Sequence, residues 1–293
     1  MNIQSLSIVV PTHGCMNQCK FCVSRMHKEE YEDLISKNAP IYKKDYMNRM
    51  AFARDNGCNT VMLTGQGEPQ QNPQFIEMFA MMNAELSMPF RNIEIQTTGA
   101  KIDDNMLRFL RYNGITTISV SVSCLNDDSM NADIINGGHT PIVLIDLCKK
   151  IKEYGMNLRL SLNVTKWIYL YEKPSGDFEE IFDYCSTVLN ADQVTFRKMY
   201  SDGSESPQTL WVNENNVNVD AYFGGLNDYI KNNGRYLDTL EYGSKRYSVM
   251  GMSTVIDEDC MAKSEEKKTL KYLILRPNCK LYTQWDDKGS LLF

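Results

Sequence analysis

Thr116-Thr117-Ile118-Ser119-Val120-Ser121-Val122-Ser123 is a run in which Ile118, Val120 and Val122 alternate with Ser119, Ser121 and Ser123. Successive side chains of a strand point to opposite faces, so this strand has one apolar face and one lined by hydroxyls. The same division recurs in three other runs. Leu158, Leu160 and Leu162 alternate with Arg159, Ser161 and Asn163; Ile93 and Ile95 with Glu94 and Gln96; Val194 and Phe196 with Gln193, Thr195 and Arg197. With Leu6–Val10 and Thr60–Thr64 these make six strand candidates, the others being Asn92–Thr97, Thr116–Val122, Leu158–Val164 and Gln193–Arg197. Helical patterns separate them: Lys43–Asn56, Pro73–Leu86, Asp103–Tyr112, Thr140–Tyr154 and Phe178–Leu189, several ending at Asn-Gly or Gly. Alternating βα units predict a parallel sheet. A closed eight-stranded barrel fills its interior with bulky apolar side chains, and a doubly wound sheet buries both faces of near-continuous apolar strands. Neither matches a polar second face. An antiparallel sheet with one solvated face is disfavoured by the intervening helices. The expected fold is therefore α/β, a partial (β/α)6 barrel whose helices cover the apolar side and whose polar lumen holds a ligand.

After Tyr200 the rhythm changes to a Ser/Asp/Gly loop, an Asn-rich stretch, one helix over Val219–Asn232 and short strand-like pieces. Residues 1–200 are expected to form the barrel, and 201–293 a C-terminal extension, a cap of short strands and one helix that closes it. Leu273–Asp286 reads as a hairpin in this cap.

The 293 residues are 43% hydrophobic and 23% charged, enough for a sizeable core. Net charge is −6, without long runs of one sign, the wrong balance for non-specific binding to nucleic acid or an anionic membrane. No stretch approaches a membrane span and no basic region precedes the short apolar run at the N-terminus, so a cytoplasmic protein is expected. The nine cysteines are odd in number and unevenly placed: Cys15, Cys19 and Cys22 are clustered, and six others are scattered. That is no disulfide framework.

The cluster lies in Pro11-Thr-His-Gly-Cys15-Met-Asn-Gln-Cys19-Lys-Phe-Cys22, directly after the first strand, where a barrel's catalytic loops belong. Three thiolates so close on one loop can grip a single metal centre. Zinc sites normally gather four ligands in two separated pairs, and here only His13 and His27 are at hand to complete a Cys3His site. An iron–sulfur cluster on three cysteines keeps one iron open.

Cys15-x-x-x-Cys19-x-Phe21-Cys22 resembles the signature of the radical S-adenosylmethionine (SAM) superfamily. The resemblance implies a [4Fe–4S] cluster on the three thiolates, with the amino and carboxylate groups of SAM on the fourth iron. It implies further that reduction cleaves SAM to methionine and a 5′-deoxyadenosyl radical, which takes a hydrogen atom from substrate. Thr64-Gly65-Gln66-Gly67-Glu68-Pro69, closing the second strand, is similar to the family's Gly-Gly-Glu-Pro motif, with Gln66 in place of its first glycine. By that likeness Gly65, Gly67 and Glu68 face the SAM amino group; the glycines would let backbone approach the ligand, and a carboxylate suits an ammonium. Gln96-Thr97-Thr98-Gly99 looks like a strand end seen in relatives, which makes Thr98 a candidate contact. Ser121 and Ser123 on the fourth strand, and Arg159 and Asn163 on the fifth, map to positions that meet the ribose, carboxylate or adenine of SAM.

Only Cys260 and Cys279 follow residue 200, too few for a second four-Cys cluster. Either is a candidate hydrogen-atom donor to a substrate radical, as in radical SAM peptide epimerases, against the plainer reading of a small inert residue. Arg197 is placed to hold a substrate carboxylate or phosphate, or to form a structural ion pair. The resemblance implies a small-molecule, nucleotide or short peptide substrate and an electron donor such as flavodoxin or ferredoxin. A peptide epimerase or cross-linker, and a non-catalytic metal- or cluster-binding sensor, are the alternatives.

Overall fold

In the computed structural model, which describes residues 2–26, 39–136, 142–168, 178–217, 219–258, 269–285 and 290–292, period-two alternation decides which face of every strand meets the helices. The six expected strands are present as β1 (Asn2–Val9), β2 (Thr60–Thr64), β3 (Asn92–Thr97), β4 (Thr117–Val122), β5 (Asn157–Val164) and β6 (Gln193–Lys198). Each pairs in parallel with the next, β1 through β6. Their apolar faces, among them Leu63, Ile95, Ile118, Val120, Leu160 and Phe196, are buried beneath the helices.

The helices begin where their caps dictate. Asn72 accepts a hydrogen bond from Phe75 N ahead of α3 (Pro73–Glu85), whose Pro73 supplies the preset first turn. Asp103 caps α4 (Asp104–Tyr112) through Met106 N. Phe75, Ile76 and Phe79 of α3, with Leu107 and Leu110 of α4, complete the core; full burial of such a side chain contributes about 1.5–3 kcal/mol. The helix α2 (Ala39–Asp55) precedes β2, and α6 (Leu144–Glu153) precedes β5. The stretch expected as one helix over Phe178–Leu189 is α7 (Phe178–Asp183) running into a π-helical turn, Tyr184–Val188.

Three helices were not anticipated. These are α1 (Val23–Met26), α5 (Asp128–Asn136) and α8 (Pro207–Asn215). The last two carry readable start signals: Asp127 Oδ1 accepts from Met130 N, and Ser206 Oγ accepts from Thr209 N with Pro207 at the first position.

The chain after residue 200 takes a different form from the expected cap of short strands and one helix. Among the described residues it contains two helices, α8 and α9 (Val219–Asn233), and its strands enter the main sheet. The hairpin β7 (Arg235–Thr239) and β8 (Lys245–Val249) leads into β9 (Met252–Asp257), which pairs in parallel with β6. β10 (Thr269–Leu275) pairs in parallel with β1 at the opposite edge and turns back into β11 (Leu281–Tyr282), the expected hairpin. The resulting eleven-stranded sheet has the order β11-β10-β1-β2-β3-β4-β5-β6-β9-β8-β7 and is not closed. Lys271 of β10 reaches Asp257 of β9 at 2.7 Å, an ion pair across the open seam.

Candidate active site

The C-terminal ends of β1 to β6 surround a cavity of about 230 Å3, and the cysteine loop forms one wall of it. Cys15, Cys19 and Cys22 all line it, with Gly65, Gly67, Glu68 and Thr98 beside them and Ser121, Asn163 and Arg197 opposite. Ser119 and Ser161 form its floor; they belong to the hydroxyl faces but were not singled out from sequence.

Three supports shape the cysteine loop. The first is the turn after β2: Gln71 Oε1 accepts from Met16 N at 3.0 Å, and Asn72 Nδ2 donates to the Pro11 carbonyl at 2.7 Å. The second is the unanticipated helix α5, whose last carbonyls, Ile134 and Ile135, accept from Lys20 N and Gln18 N. A helix end leaves such carbonyls without intrahelical partners, so it is a ready acceptor for an incoming loop. The third is α8, where Trp211 packs on Phe21, the aromatic residue preceding Cys22, with ring centroids 6.0 Å apart. Within the loop the Asn17 N–H lies 3.4 Å from Cys15 Sγ.

Gly65 and Gly67 line the cavity and have a packing role besides. A Cβ on Gly67 would lie 2.4 Å from Thr12 Oγ1 and 2.6 Å from the Gly14 carbonyl, and one on Gly65 would lie 2.9 Å from the Val10 carbonyl. Both glycines thus let the β2 turn approach the cysteine loop itself.

Burial raises the pKa of all three cysteines, and the Glu68 carboxylate pushes in the same direction, as do neighbouring thiols for Cys15 and Cys19. For Cys22 the nearby Arg25 partly offsets this. The three thiols therefore hold their protons unless positive charge arrives. A cationic metal centre supplies that charge and displaces the protons, so the donor set fits an iron–sulfur cluster open to the cavity. Among the described residues no three His, Cys, Asp or Glu side chains converge on one point as a single-ion site. His13 is exposed, and His27 lies outside the described residues.

Three expectations change. Arg159 is not at this cavity. It forms an ion pair of 2.5 Å with Glu94, a residue only 3% exposed, and bonds Gln193 at 2.8 Å in a second, polar cavity of about 250 Å3 at the other end of the barrel. Strand parity put it on the lumen face correctly, but Arg159 stands four residues before Asn163, roughly 13 Å away along the strand. Ser123 is fully buried and accepts from Asn163 Nδ2 at 3.0 Å, as Ser121 does at 2.9 Å, so it orients Asn163 from behind the wall. Cys279 is buried in the turn between β10 and β11 at φ 58°, beside α2 residues Asp45 and Arg49, and does not line the cavity; burial pushes its thiol up to about 12. Cys260 lies outside the described residues. Arg197 lines the cavity and approaches Asp257 at 3.8 Å, the ion-pair alternative of its two readings.

Comparison with known proteins follows the same lines. No curated protein sequence matches the chain. Among solved structures the fold is similar to SuiB of Streptococcus suis bound to its precursor peptide SuiA, with TM-score 0.57 and 15% identity over 96% of this chain and 59% of that one. It is similar to anSMEcpe with bound AdoMet and the Cp18Cys peptide, with TM-score 0.59 and 12% identity over 98% and 75% of the two chains. It is also similar to the coproporphyrinogen III oxidase HemN of Escherichia coli, a radical SAM enzyme, with TM-score 0.52 and 14% identity over 80% and 54%. The chain thus spans about three fifths of SuiB's length. The family model of the radical SAM superfamily matches residues 9–185, more than half of the sequence, and the chain belongs to that superfamily, whose chemistry runs on an iron–sulfur cluster and SAM.

Proposed function

We propose that this protein is a radical SAM enzyme that holds a [4Fe–4S] cluster on Cys15, Cys19 and Cys22, reductively cleaves SAM there, and takes a hydrogen atom from a substrate in the polar lumen. One observation carries the reading: the three thiols, the Gly67-Glu68 turn and the polar ends of β3 to β6 open into a single cavity. When bound, the cluster and SAM supply an electron and a 5′-deoxyadenosyl radical. The chain supplies orientation. Asn163, fixed by Ser121 and Ser123, lines the wall; Ser119 and Ser161 offer hydroxyls at the floor; Arg197 brings positive charge to the cavity.

The substrate class we favour is a small molecule or short peptide. The peptides held by SuiB and anSMEcpe support the second of these, and the Arg197 charge favours a group with a carboxylate. A flavodoxin or ferredoxin is the class of electron donor such a cluster needs. The described cysteines are all unpaired, which fits a reducing compartment such as the cytoplasm, and among the described residues no helix is long and apolar enough to cross a membrane.

The test is anaerobic reconstitution with iron and sulfide, followed by SAM and dithionite and an assay for 5′-deoxyadenosine. Formation that is lost in Cys19→Ala supports the reading. Formation that persists in that variant, or no formation from a protein that purifies with zinc, overturns it.

A further inference from the structure

The carboxylate of Glu68 is filled from within the protein. A carboxylate offers about four lone-pair sites. Asn17 Nδ2 donates to Oε1 at 2.7 Å, Gln70 Nε2 donates to Oε2 at 2.8 Å, Thr97 Oγ1 donates to Oε2 at 2.5 Å, and Thr98 N lies 3.2 Å from both oxygens. The side chain is only 5% exposed. Every donor belongs to the chain, and four donors meet four sites.

One of these donors is unlike the rest. Asn17 stands between Cys15 and Cys19 and is 1% exposed. Its Nδ2 also donates to Thr98 Oγ1 at 2.9 Å, and its backbone carbonyl accepts from Arg25 at 2.8 Å. The amide thus spans the gap between the cysteine loop, the turn after β2 and the end of β3. Its Oδ1 is buried with no hydrogen-bond partner, so the amide is held through its donor side alone.

We infer that Asn17 and Glu68 are positioning residues that act as a tie, fixing the cysteine loop against β3, and that the Glu68 side chain is spent on this tie instead of meeting the SAM ammonium. The inference rests on the proposed function only in naming what the loop carries; the tie itself is a property of the chain without its cofactors. Its physical basis is the cost of freeing any one donor, since a buried polar group that loses its partner is left unsatisfied. An ammonium approaching Glu68 from the cavity would have to displace one of them. Backbone carbonyls of the Gly65–Gly67 turn, which lines the same cavity, offer it acceptors instead.

The experiment compares Asn17→Ala, Glu68→Gln and the exchanged pair Asn17→Asp with Glu68→Gln. Glu68→Gln sets one amide against another, whereas the exchanged pair restores a donor facing a carboxylate at unchanged net charge. Two readouts are taken. In the cofactor-free protein, amide hydrogen exchange over residues 11–22 is expected to accelerate in both single variants and to return towards wild type in the exchanged pair; exchange over β4 and β5 serves as the internal control for folding. In the reconstituted protein, both single variants are expected to bind iron about tenfold more weakly, the scale for outer-shell partners of metal ligands. The exchanged pair is expected to recover that binding and to show the wild-type change in the electron paramagnetic resonance spectrum on adding SAM.

Wild-type exchange over 11–22 in Asn17→Ala overturns the tie. So does a Glu68→Gln protein with wild-type exchange and iron content whose spectrum no longer responds to SAM, because that places the carboxylate on the ligand. If the wild-type protein takes up no cluster, the proposed function fails, while the exchange data still decide the tie.

Discussion

Gly67 passes so close to Thr12 that a methyl group on its Cα would lie 2.4 Å from the Thr12 hydroxyl, with the Gly14 carbonyl at 2.6 Å. The second contact is to backbone and has no side-chain torsion through which to relieve it. Gly67→Ala must therefore shift the cysteine loop away from the β2 turn. We expect a loss of about 1–3 kcal/mol, the range for overpacking a tight site, together with poor cluster assembly. Urea unfolding and iron content after reconstitution check both. Gly114→Ala is the comparison, since its Cβ would touch only Ile93 at 4.0 Å and its cost comes from its positive φ alone.

Arg159 and Glu94 form their ion pair at the end of the barrel away from the cysteines. Arg159→Met leaves a carboxylate that is 3% exposed without its cation. Breaking a buried pair from one side costs about 3–5 kcal/mol; Arg159 itself keeps 30% of its side chain exposed, so about 2 kcal/mol is the expectation here. Arg159→Met with Glu94→Gln should recover much of it. SAM binding, measured by calorimetry on the reconstituted protein, should be unchanged in both, because neither side chain reaches the cavity.

The buried thiols predict a decline in stability at alkaline pH. Burial pushes Cys58 up to about 11 and Cys148 up to about 12, each from an ordinary value of 9.0. Cys185 is raised as well. Between pH 9 and these values the unfolded thiols lose protons that the folded ones retain. Stability is thus fully present below pH 9 and falls above it, by about 1.4 kcal/mol per pH unit for each thiol in this regime. Denaturant midpoints of the cofactor-free protein at pH 7.5 and 10 should differ accordingly, and Cys148→Ala should flatten the slope.

Cys279→Ala should leave 5′-deoxyadenosine formation and product distribution unaltered, since the thiol sits in the β10–β11 turn beside α2 and not in the cavity. A stability loss of about 1 kcal/mol is expected, the usual scale for a core point change. A changed product distribution would return this thiol to the hydrogen-donor role.

Removal of Trp211 tests the contact between α8 and the cysteine loop. Trp211→Ala deletes the ring packed on Phe21, an aromatic pair that contributes about 0.5–1.5 kcal/mol beyond its buried area. We expect faster loss of iron to a chelator while the barrel's far-ultraviolet circular dichroism stays intact.

How far the fold is legible in sequence depends on the range of the interactions that specify each part. The six barrel strands match within a residue or two at most ends, the exception being the earlier start of β1 at Asn2, because period-two alternation is a local property of each segment. Cys15, Cys19 and Cys22 are legible for the same reason: three donors on one short loop need no long-range contact to be recognised. α5 and α8 were within reach through Asp127 and Ser206-Pro207, whose capping chemistry is also local.

What only the tertiary structure decided is whatever depends on depth, neighbours or sheet order. Parity assigned Arg159 to the lumen, but the distance between the two ends of a strand separates its ion pair from the cysteines. The placement of β9 beside β6 and β10 beside β1 depends on the two outer edges that β1 and β6 offer, and no single segment carries that information. Glu68 and Asn17 lie 51 residues apart, and their hydrogen bond exists only because two glycines allow two loops to touch. Sequence alone determined the chemistry at hand, three thiols and a polar lumen; the packing of one loop on another determined which donors reach the carboxylate and which face of the site remains open to a ligand, because hydrogen bonds and steric contacts act over a few ångströms of space whatever their separation along the chain.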